Sequence, residues 1–177
     1  RRRARVHAGL GDAEKAIADW SRAIELAPLH VESIRARSSL YLLQNDARRA
    51  VADCERLVDL QPSESTAHLA LAEAWLARDD EAKAVAPLAA ALRWEPARRR
   101  AILMLALRHA KELARRWPDD PAKKAQWLES SLRMVRDVDP EMEFRRKADA
   151  LIKSRDPGWD AARWSDALER GIGELAK

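Results

Sequence analysis

Apolar and polar positions recur along this chain with a period of 34 residues. The segment EKAIADWSRAIELAP ends at Pro28, the segment RRAVADCERLVDLQP ends at Pro62, and the segment AKAVAPLAAALRWEP ends at Pro96. In each segment apolar residues return every three or four positions, which is the spacing of one face of an α-helix. The pattern therefore predicts three equivalent helices, each closed by a proline that cannot continue the backbone hydrogen bonds.

The residues in front of these helices also share positions, and each position has a mechanical reason. At the first position a preceding helix ends, because glycine and asparagine tolerate the left-handed backbone of a C-terminal turn. At the next position an aspartate caps the new helix and meets the positive end of its dipole. A shared alanine then lets two helices approach closely. The shared sets are Gly11, Asn45 and Asp79; Asp12, Asp46 and Asp80; and Ala16, Ala50 and Ala84.

Composition supports a helical chain throughout. Helix-forming residues dominate, glycine occurs only 5 times, and charged residues make up 35% of the sequence. We therefore predict an all-α protein whose helices each have one solvated face. The apolar runs are too short for a transmembrane helix, and the N-terminus lacks the apolar core of a secretory signal. The default expectation is a cytoplasmic protein.

This 34-residue period of helix, tight turn, helix and proline resembles the tetratricopeptide repeat. Tyr41 and Trp75 fall at the aromatic position of that family's first helix, and Ser38 and Ala72 at its small position. The family's second helix carries alanine, a bulky residue and alanine. The corresponding residues are Ala16, Trp20 and Ala23; Ala50, Cys54 and Leu57, with two departures; and Ala84, Leu88 and Ala91. The resemblance implies a right-handed superhelical solenoid of antiparallel helix pairs with about ten helices, and the arginine- and alanine-rich composition indicates a bacterial source.

The resemblance divides the chain into three parts. Residues 1–96 are three regular repeats, the first truncated at its N-terminus, which suggests a longer parent protein with a catalytic or sensory domain upstream. Residues 97–140 are an elongated, divergent repeat whose first helix runs to Trp117. Residues 141–177 are a capping helix pair broken at SRDPG, where Asp156 and Pro157 are predicted as the cap and first-turn proline of the last helix.

Pro87 is the residue that conflicts with this pattern. It lies about seven residues into a predicted helix. Proline there removes a backbone hydrogen bond and costs about 3 kcal/mol or kinks the helix. The sequence assigns it no function.

The sequence offers little chemistry for catalysis, and we predict a non-enzyme without metal or cofactor. The spacings of the four histidines follow the repeat and match no metal site. Cys54 falls on a buried apolar position, where a thiol is inert. Aspartate pairs at helix starts are explained by capping. No glycine-rich phosphate loop or Gly-x-Ser-x-Gly motif occurs. The histidines are His7, His30, His68 and His109, and the aspartate pairs are Asp79–Asp80 and Asp119–Asp120.

Protein binding is the function that the resemblance implies. In this family the first helices of successive repeats line a concave groove that holds a partner's peptide or helix. The groove positions correspond to Arg1, Arg2, Arg5, Glu32, Arg35, Ser39, Thr66, Leu69, Glu73, Arg100, Leu103 and Leu107. The arginines suit an acidic segment or a C-terminal carboxylate, although solvated arginines are the alternative. The asparagines of the family's chaperone-binding carboxylate clamp are missing, so no such clamp is predicted.

Two alternative functions rest on other parts of the chain. Residues 97–147 contain 14 Lys/Arg against 8 Asp/Glu and could bind nucleic acid or an anionic surface. Helical spacing and interleaved acids such as Glu112 and Asp119 dilute that charge. Self-association is the other alternative, because Trp164, Leu168 and Ile172 form a stripe on the last helix. That stripe either packs back on the fourth repeat or forms a homodimer.

Overall fold

The computed structural model describes residues 12–99, 104–105, 108–109, 112, 115–138 and 143–175. All regular elements among these residues are helical, which confirms the all-α prediction. The chain divides into two compact units, Arg1–Trp94 and Glu95–Lys177. None of the helices in the described ranges combines the length and the hydrophobicity that crossing a bilayer requires.

The first unit is a series of antiparallel helices in which each helix packs against the next one along the chain. Its helices are α1 (Ala13–Leu26), α2 (Val31–Leu43), α3 (Ala47–Leu60), α4 (Ser65–Leu76) and α5 (Glu81–Trp94). The helices α2 and α4 are the first helices of the second and third repeats. The helices α1, α3 and α5 end two residues before Pro28, Pro62 and Pro96, as the sequence predicts.

The second unit begins with a 3-10 helix, Pro96–Arg98, and continues with α6 (Pro121–Val138), α7 (Glu143–Lys153) and α8 (Ala161–Leu175). The helix α8 packs against α6, and α7 packs against both. The described residues thus form eight α-helices, so the count of about ten is too high for this part of the chain. The other two predicted helices fall at residues 1–10 and 97–117. The first range lies outside the described residues, and about half of the second does as well.

The tight turns within the repeats have the predicted geometry. Asn45 and Asp79 have positive φ angles of 58° and 57°. The N–H of Asp46 donates to the Tyr41 carbonyl at 2.8 Å, and the N–H of Asn45 donates to the Leu42 carbonyl at 3.0 Å. This is the paired hydrogen bonding of a Schellman C-cap. Gly11, the third residue at this position, lies outside the described residues.

The predicted aspartate caps are present at all three repeats. Each Oδ1 atom accepts a hydrogen bond from the backbone N–H three residues later, at 3.3 Å for Asp12, 3.0 Å for Asp46 and 3.2 Å for Asp80. Asp120 caps α6 in the same way at 3.0 Å, directly before Pro121. The caps satisfy backbone donors that a helix start leaves without partners.

The prediction for the start of the last helix is wrong. The helix α8 begins at Ala161 and is capped by Asp160, whose Oδ1 accepts from the Arg163 N–H at 2.8 Å. Asp156 instead accepts from the Gly158 N–H at 2.8 Å and stabilises a turn. An aspartate two residues before a glycine readily closes such a turn with its own side chain. Asp156 therefore stabilises the turn, and the helix cap is Asp160, four residues later.

The core of the first unit consists of the positions that the repeat pattern selects. Trp20 is 2% exposed, and Cys54 and Leu57, the two departures from the family pattern, are completely buried. Cys54 packs with Tyr41 and Leu71, and Leu57 packs with Ile34. The helix α5 runs unbroken through Pro87, whose side chain is buried.

Candidate protein-binding face

Six of the predicted groove residues lie on α2 and α4 in the first unit. On each helix they are spaced by three and four residues, so each set shares one face. The members on α2 are Glu32, Arg35 and Ser39, and the members on α4 are Thr66, Leu69 and Glu73. We call this surface the α2–α4 face. The predicted residues Arg1, Arg2, Arg5, Arg100, Leu103 and Leu107 lie outside the described residues.

Arg35 connects the two helices of this face. Its Nη1 atom donates to Thr66 Oγ1 at 3.2 Å, and its Nη2 atom donates to Gln61 Oε1 at 3.1 Å. The hydroxyl of Thr66 in turn donates to Glu64 Oε1 at 3.1 Å. Both acceptors of Arg35 are neutral oxygens. These hydrogen bonds therefore fix the half-buried guanidinium in place without neutralising its charge.

The remaining residues give the face a mixed surface. Leu69 is half-buried and supplies apolar area. Glu32 and Glu73 are exposed and carry negative charge on either helix. The exposed Ser39 hydroxyl donates to the Arg35 carbonyl at 3.0 Å, so it is directed at its own helix. The face therefore combines one fixed cation, one apolar side chain and two outer carboxylates.

A buried ion pair lies behind the face, and sequence reasoning missed it. Arg37 Nε donates to Asp53 Oδ2 at 2.8 Å and Arg37 Nη2 donates to Asp53 Oδ1 at 2.6 Å, while Nη1 donates to Ser21 Oγ at 3.0 Å. The hydrogen bonds to Asp53 raise the pKa of Arg37 above its ordinary value. One side chain thus ties α2 to both α1 and α3. Since Arg37 is two residues from Arg35, this contact fixes the orientation of the helix that carries the face.

The turns contain a second arrangement that sequence reasoning missed. The Arg49 guanidinium lies 4.6 Å from the centre of the Tyr41 ring and pairs with the capping Asp46. In the next repeat Lys83 Nζ lies 4.5 Å from the Trp75 ring and 3.1 Å from Asp80 Oδ2. The family's aromatic position therefore lies against a cation at both of these turns. In the sequence, this arrangement corresponds to an aromatic residue followed eight positions later by a lysine or arginine, with the capping aspartate between them.

The basic segment, residues 97–147, is partly compensated by carboxylates. Lys124 Nζ lies 2.8 Å from Glu169 Oε2, and Arg136 Nε lies 2.9 Å from Asp137 Oδ1. Lys123 pairs with Asp120 at 3.6 Å, and Arg133 pairs with Glu129. These carboxylates compete with phosphate for the same cations. Nucleic-acid binding through this segment therefore has less support than protein binding on the α2–α4 face.

The cysteine and the described histidines that were considered for catalysis are buried or take part in contacts within the fold. Burial raises the pKa of the Cys54 thiol to about 11, so the reactive thiolate is scarce at neutral pH. His30 Nδ1 accepts from the Ser33 N–H at 3.1 Å and so caps α2, and His68 Nε2 lies 2.8 Å from the Pro62 carbonyl. His109 is buried, and His7 lies outside the described residues. Within the described ranges, no group of three or more potential metal ligands occurs.

The stripe on the last helix lies inside the second unit. Trp164 is 2% exposed, and Leu168 and Ile172 are completely buried. The indole N–H of Trp164 points at Glu129 Oε2 on α6, at 3.5 Å. These side chains are therefore part of the contact that holds α8 in its own chain.

The comparisons with known proteins agree with this architecture. No protein-family profile matches the sequence, and no curated protein matches it. Among solved structures, MamA is similar with a TM-score of 0.57 and 13% identity, over 97% of this chain and 93% of MamA. A mutant O-GlcNAc transferase of Thermobaculum terrenum is similar with a TM-score of 0.51 and 20% identity, over 73% of this chain. The match spans only 24% of the transferase.

At these identities the likeness is one of fold. The helix pairs, their aspartate caps and their left-handed turn residues recur every 34 residues. The chain therefore has a tetratricopeptide-like helical repeat fold.

Proposed function

We propose that this chain is a protein-interaction scaffold and that the α2–α4 face binds an acidic segment of a partner protein. The observation that carries the proposal is the guanidinium of Arg35, held by two neutral oxygens between α2 and α4. The proposed occupant is an extended peptide or a helix that places one carboxylate on Arg35.

A carboxylate is a better acceptor for this guanidinium than its present partners. Hydrogen bonds between ionised groups are roughly twice as strong as neutral ones, and a carboxylate can accept two parallel bonds from one guanidinium. The hydroxyl of Thr66 and the amide of Gln61 then become available to the partner's backbone. Because Arg35 is already fixed, little side-chain entropy is lost on binding.

The outer carboxylates restrict which acidic segment fits. Glu32 and Glu73 repel further negative charge at the two sides of the face. Leu69 favours an apolar side chain near the central carboxylate. The preferred sequence therefore has one or two acidic residues beside an apolar one, with neutral or basic residues on both sides.

An array of synthetic peptides tests the proposal directly. Each acidic peptide is paired with a copy in which Asp and Glu are replaced by Asn and Gln. We expect the wild-type chain to bind a subset of acidic peptides and to bind their amide copies at least about tenfold more weakly, because each amide copy loses a charge-assisted contact. Arg35→Glu should lose this binding.

Arg48→Glu is the matched control. Arg48 is an exposed residue of α3, and its replacement changes the net charge of the chain by the same amount. This variant should keep the peptide profile of the wild type. Equal losses in both variants would show only long-range attraction, and binding that is indifferent to the amide copies would contradict the role of Arg35.

A further inference from the structure

A cleft of about 460 Å³ lies in the second unit along α6. One side of the cleft is a stripe of α6 that runs from Ala122 to Arg133, about 16 Å at the helical rise per residue. Arg155, Ala161 and Trp164 form the opposite side. The volume falls in the range of sites that hold small molecules.

Small side chains create the room in this cleft. Ala122 and Ala125 on α6 and Ala161 at the start of α8 line it, and Trp164 contributes an aromatic edge. These four residues offer apolar contact, whereas the other five lining residues are polar: Gln126, Glu129, Ser130, Arg133 and Arg155. The occupant of the cleft therefore has an apolar part, because a fully polar molecule would lose hydration against the alanines.

Only some of the charged side chains that line the cleft are paired with an opposite charge. Glu129 Oε1 is paired with Arg133, and Glu129 Oε2 faces the indole N–H of Trp164 at 3.5 Å. Both oxygens of the cleft's carboxylate are therefore engaged. The Arg155 guanidinium lies 5.8 Å from the centre of the Trp164 ring and forms no salt bridge with a carboxylate of the described residues. The cleft thus retains one positive charge.

We propose that this cleft binds a carboxylate attached to a small apolar group. The carboxylate pairs with Arg155, and the exposed amide of Gln126 on the opposite side supplies a further donor. The apolar group lies along the alanines. Such a ligand is either a free organic acid or the last residue of a peptide, since both present the same chemistry. The site belongs to the second unit and is independent of the α2–α4 face.

Two-dimensional amide NMR with 3-phenylpropionate tests the site. For a ligand of this size we expect a Kd on the order of 1 mM, with shifts confined to amides of α6, α8 and the segment around Arg155. The neutral 3-phenylpropionamide should bind at least about tenfold more weakly, and Arg155→Gln should weaken the acid by a similar factor. Both comparisons isolate the charge from the apolar contact.

Arg170→Gln is the control variant, because Arg170 is exposed on α8 and does not line the cleft. It should bind 3-phenylpropionate like the wild type, and so should Arg35→Glu, which separates this site from the proposed protein-binding face. Arg155 is exposed, so its replacement should leave the far-UV circular dichroism spectrum unchanged.

The source of the ligand is resolved by a second pair of probes, Gly-Gly-Phe with a free C-terminus and its C-terminal amide. Tighter binding of the free tripeptide than of 3-phenylpropionate would assign the site to peptide C-termini. Binding of 3-phenylpropionate alone would assign it to free organic acids. Equal binding of 3-phenylpropionate and its amide, unchanged affinity in Arg155→Gln, or the absence of shifts in α6 and α8 would each overturn the proposal.

Discussion

Replacing Arg37 with leucine removes the guanidinium that donates to both oxygens of Asp53, at 2.8 and 2.6 Å. The carboxylate side chain, only 7% exposed, then loses its counterion in the interior of the first unit. Breaking a buried ion pair by removing one partner costs about 3–5 kcal/mol. Because the Arg37 side chain is 18% exposed, water compensates part of this loss, and we expect about 2–4 kcal/mol.

The third repeat shows how the same positions can be filled without charge. One period after Arg37 and Asp53 the chain has Leu71 and Pro87, and both side chains are buried. Exchanging a whole buried ion pair for apolar residues is often close to neutral. The double variant Arg37→Leu with Asp53→Leu should therefore be more stable than Arg37→Leu alone, by at least about 1 kcal/mol.

Urea unfolding followed by far-UV circular dichroism measures these differences. With a slope of about 2 kcal/mol per M, a loss of about 3 kcal/mol lowers the midpoint by about 1.5 M. If urea unfolding shows two transitions, the midpoint of the transition that Arg37→Leu shifts is compared for all variants. The control is Arg22→Leu, which breaks an ion pair that is 72% and 61% exposed and should change stability by less than about 1 kcal/mol. The predicted coupling is refuted if the stability loss of the double variant equals the sum of the losses of Arg37→Leu and Asp53→Leu, because the two side chains would then not stabilise each other.

Four further substitutions or treatments follow from the first unit. Asp46→Ala removes the cap of α3 and should cost about 1 kcal/mol in the same urea assay. Trp20→Ala removes a side chain that is 2% exposed and should cost about 3–5 kcal/mol. Pro87→Ala should stabilise α5 by about 1–2 kcal/mol, because the gain of about 3 kcal/mol from proline removal exceeds the loss of buried ring carbons. Cys54, whose pKa burial raises to about 11, should react with an aromatic disulfide reagent at pH 8 only after unfolding, as absorbance of the released thiolate would show.

The sequence predicted those features of the fold that depend on neighbours a few residues apart. An aspartate cap reaches three residues forward, and the left-handed turn at Asn45 closes hydrogen bonds over three and five residues. The proline stops act on the residue next to them. Such interactions are nearly independent of tertiary packing, so the residue types alone determine them.

The start of α8 shows where this local logic becomes ambiguous. Asp156 before a proline and Asp160 before an alanine-rich segment both satisfy the rules for a helix cap. Gly158 decides between them, because its N–H closes a turn onto Asp156. The helix that carries the buried stripe from Trp164 onward therefore begins at Ala161. Which of the two aspartates caps this helix depends on how the helix packs, and not on the local residue types alone.

The α2–α4 face was predicted as a set of positions, but its contacts were not. Arg35 and Thr66 are separated by 31 residues and meet because two successive repeats pack side by side. Which oxygen the guanidinium reaches depends on side-chain rotamers and on the distance between the helices. Neither quantity follows from the repeat pattern.

The contacts inside one helix pair, by contrast, follow a rule that the sequence contains. In an antiparallel helix pair, two residues that lie equally far before and after the connecting turn are at the same height. Residues four or eight positions from the turn lie about one or two helical turns from it, so they share one face of their helix. Tyr41 and Arg49 lie four residues on either side of Asn45, and Arg37 and Asp53 lie eight residues on either side. Leu71 and Pro87 have the same relation to Asp79, the left-handed residue of the next repeat.

This relation changes the meaning of Pro87. Considered alone, it is a proline in a helix where an alanine would be more stable. Considered with its facing position, it replaces Asp53 in a repeat where Leu71 has replaced Arg37. With leucine opposite, a retained aspartate would be a buried carboxylate without a counterion, which costs about as much as the proline does. An apolar residue at position 87 is therefore required by Leu71, and only the choice of proline over alanine has no explanation in the structure.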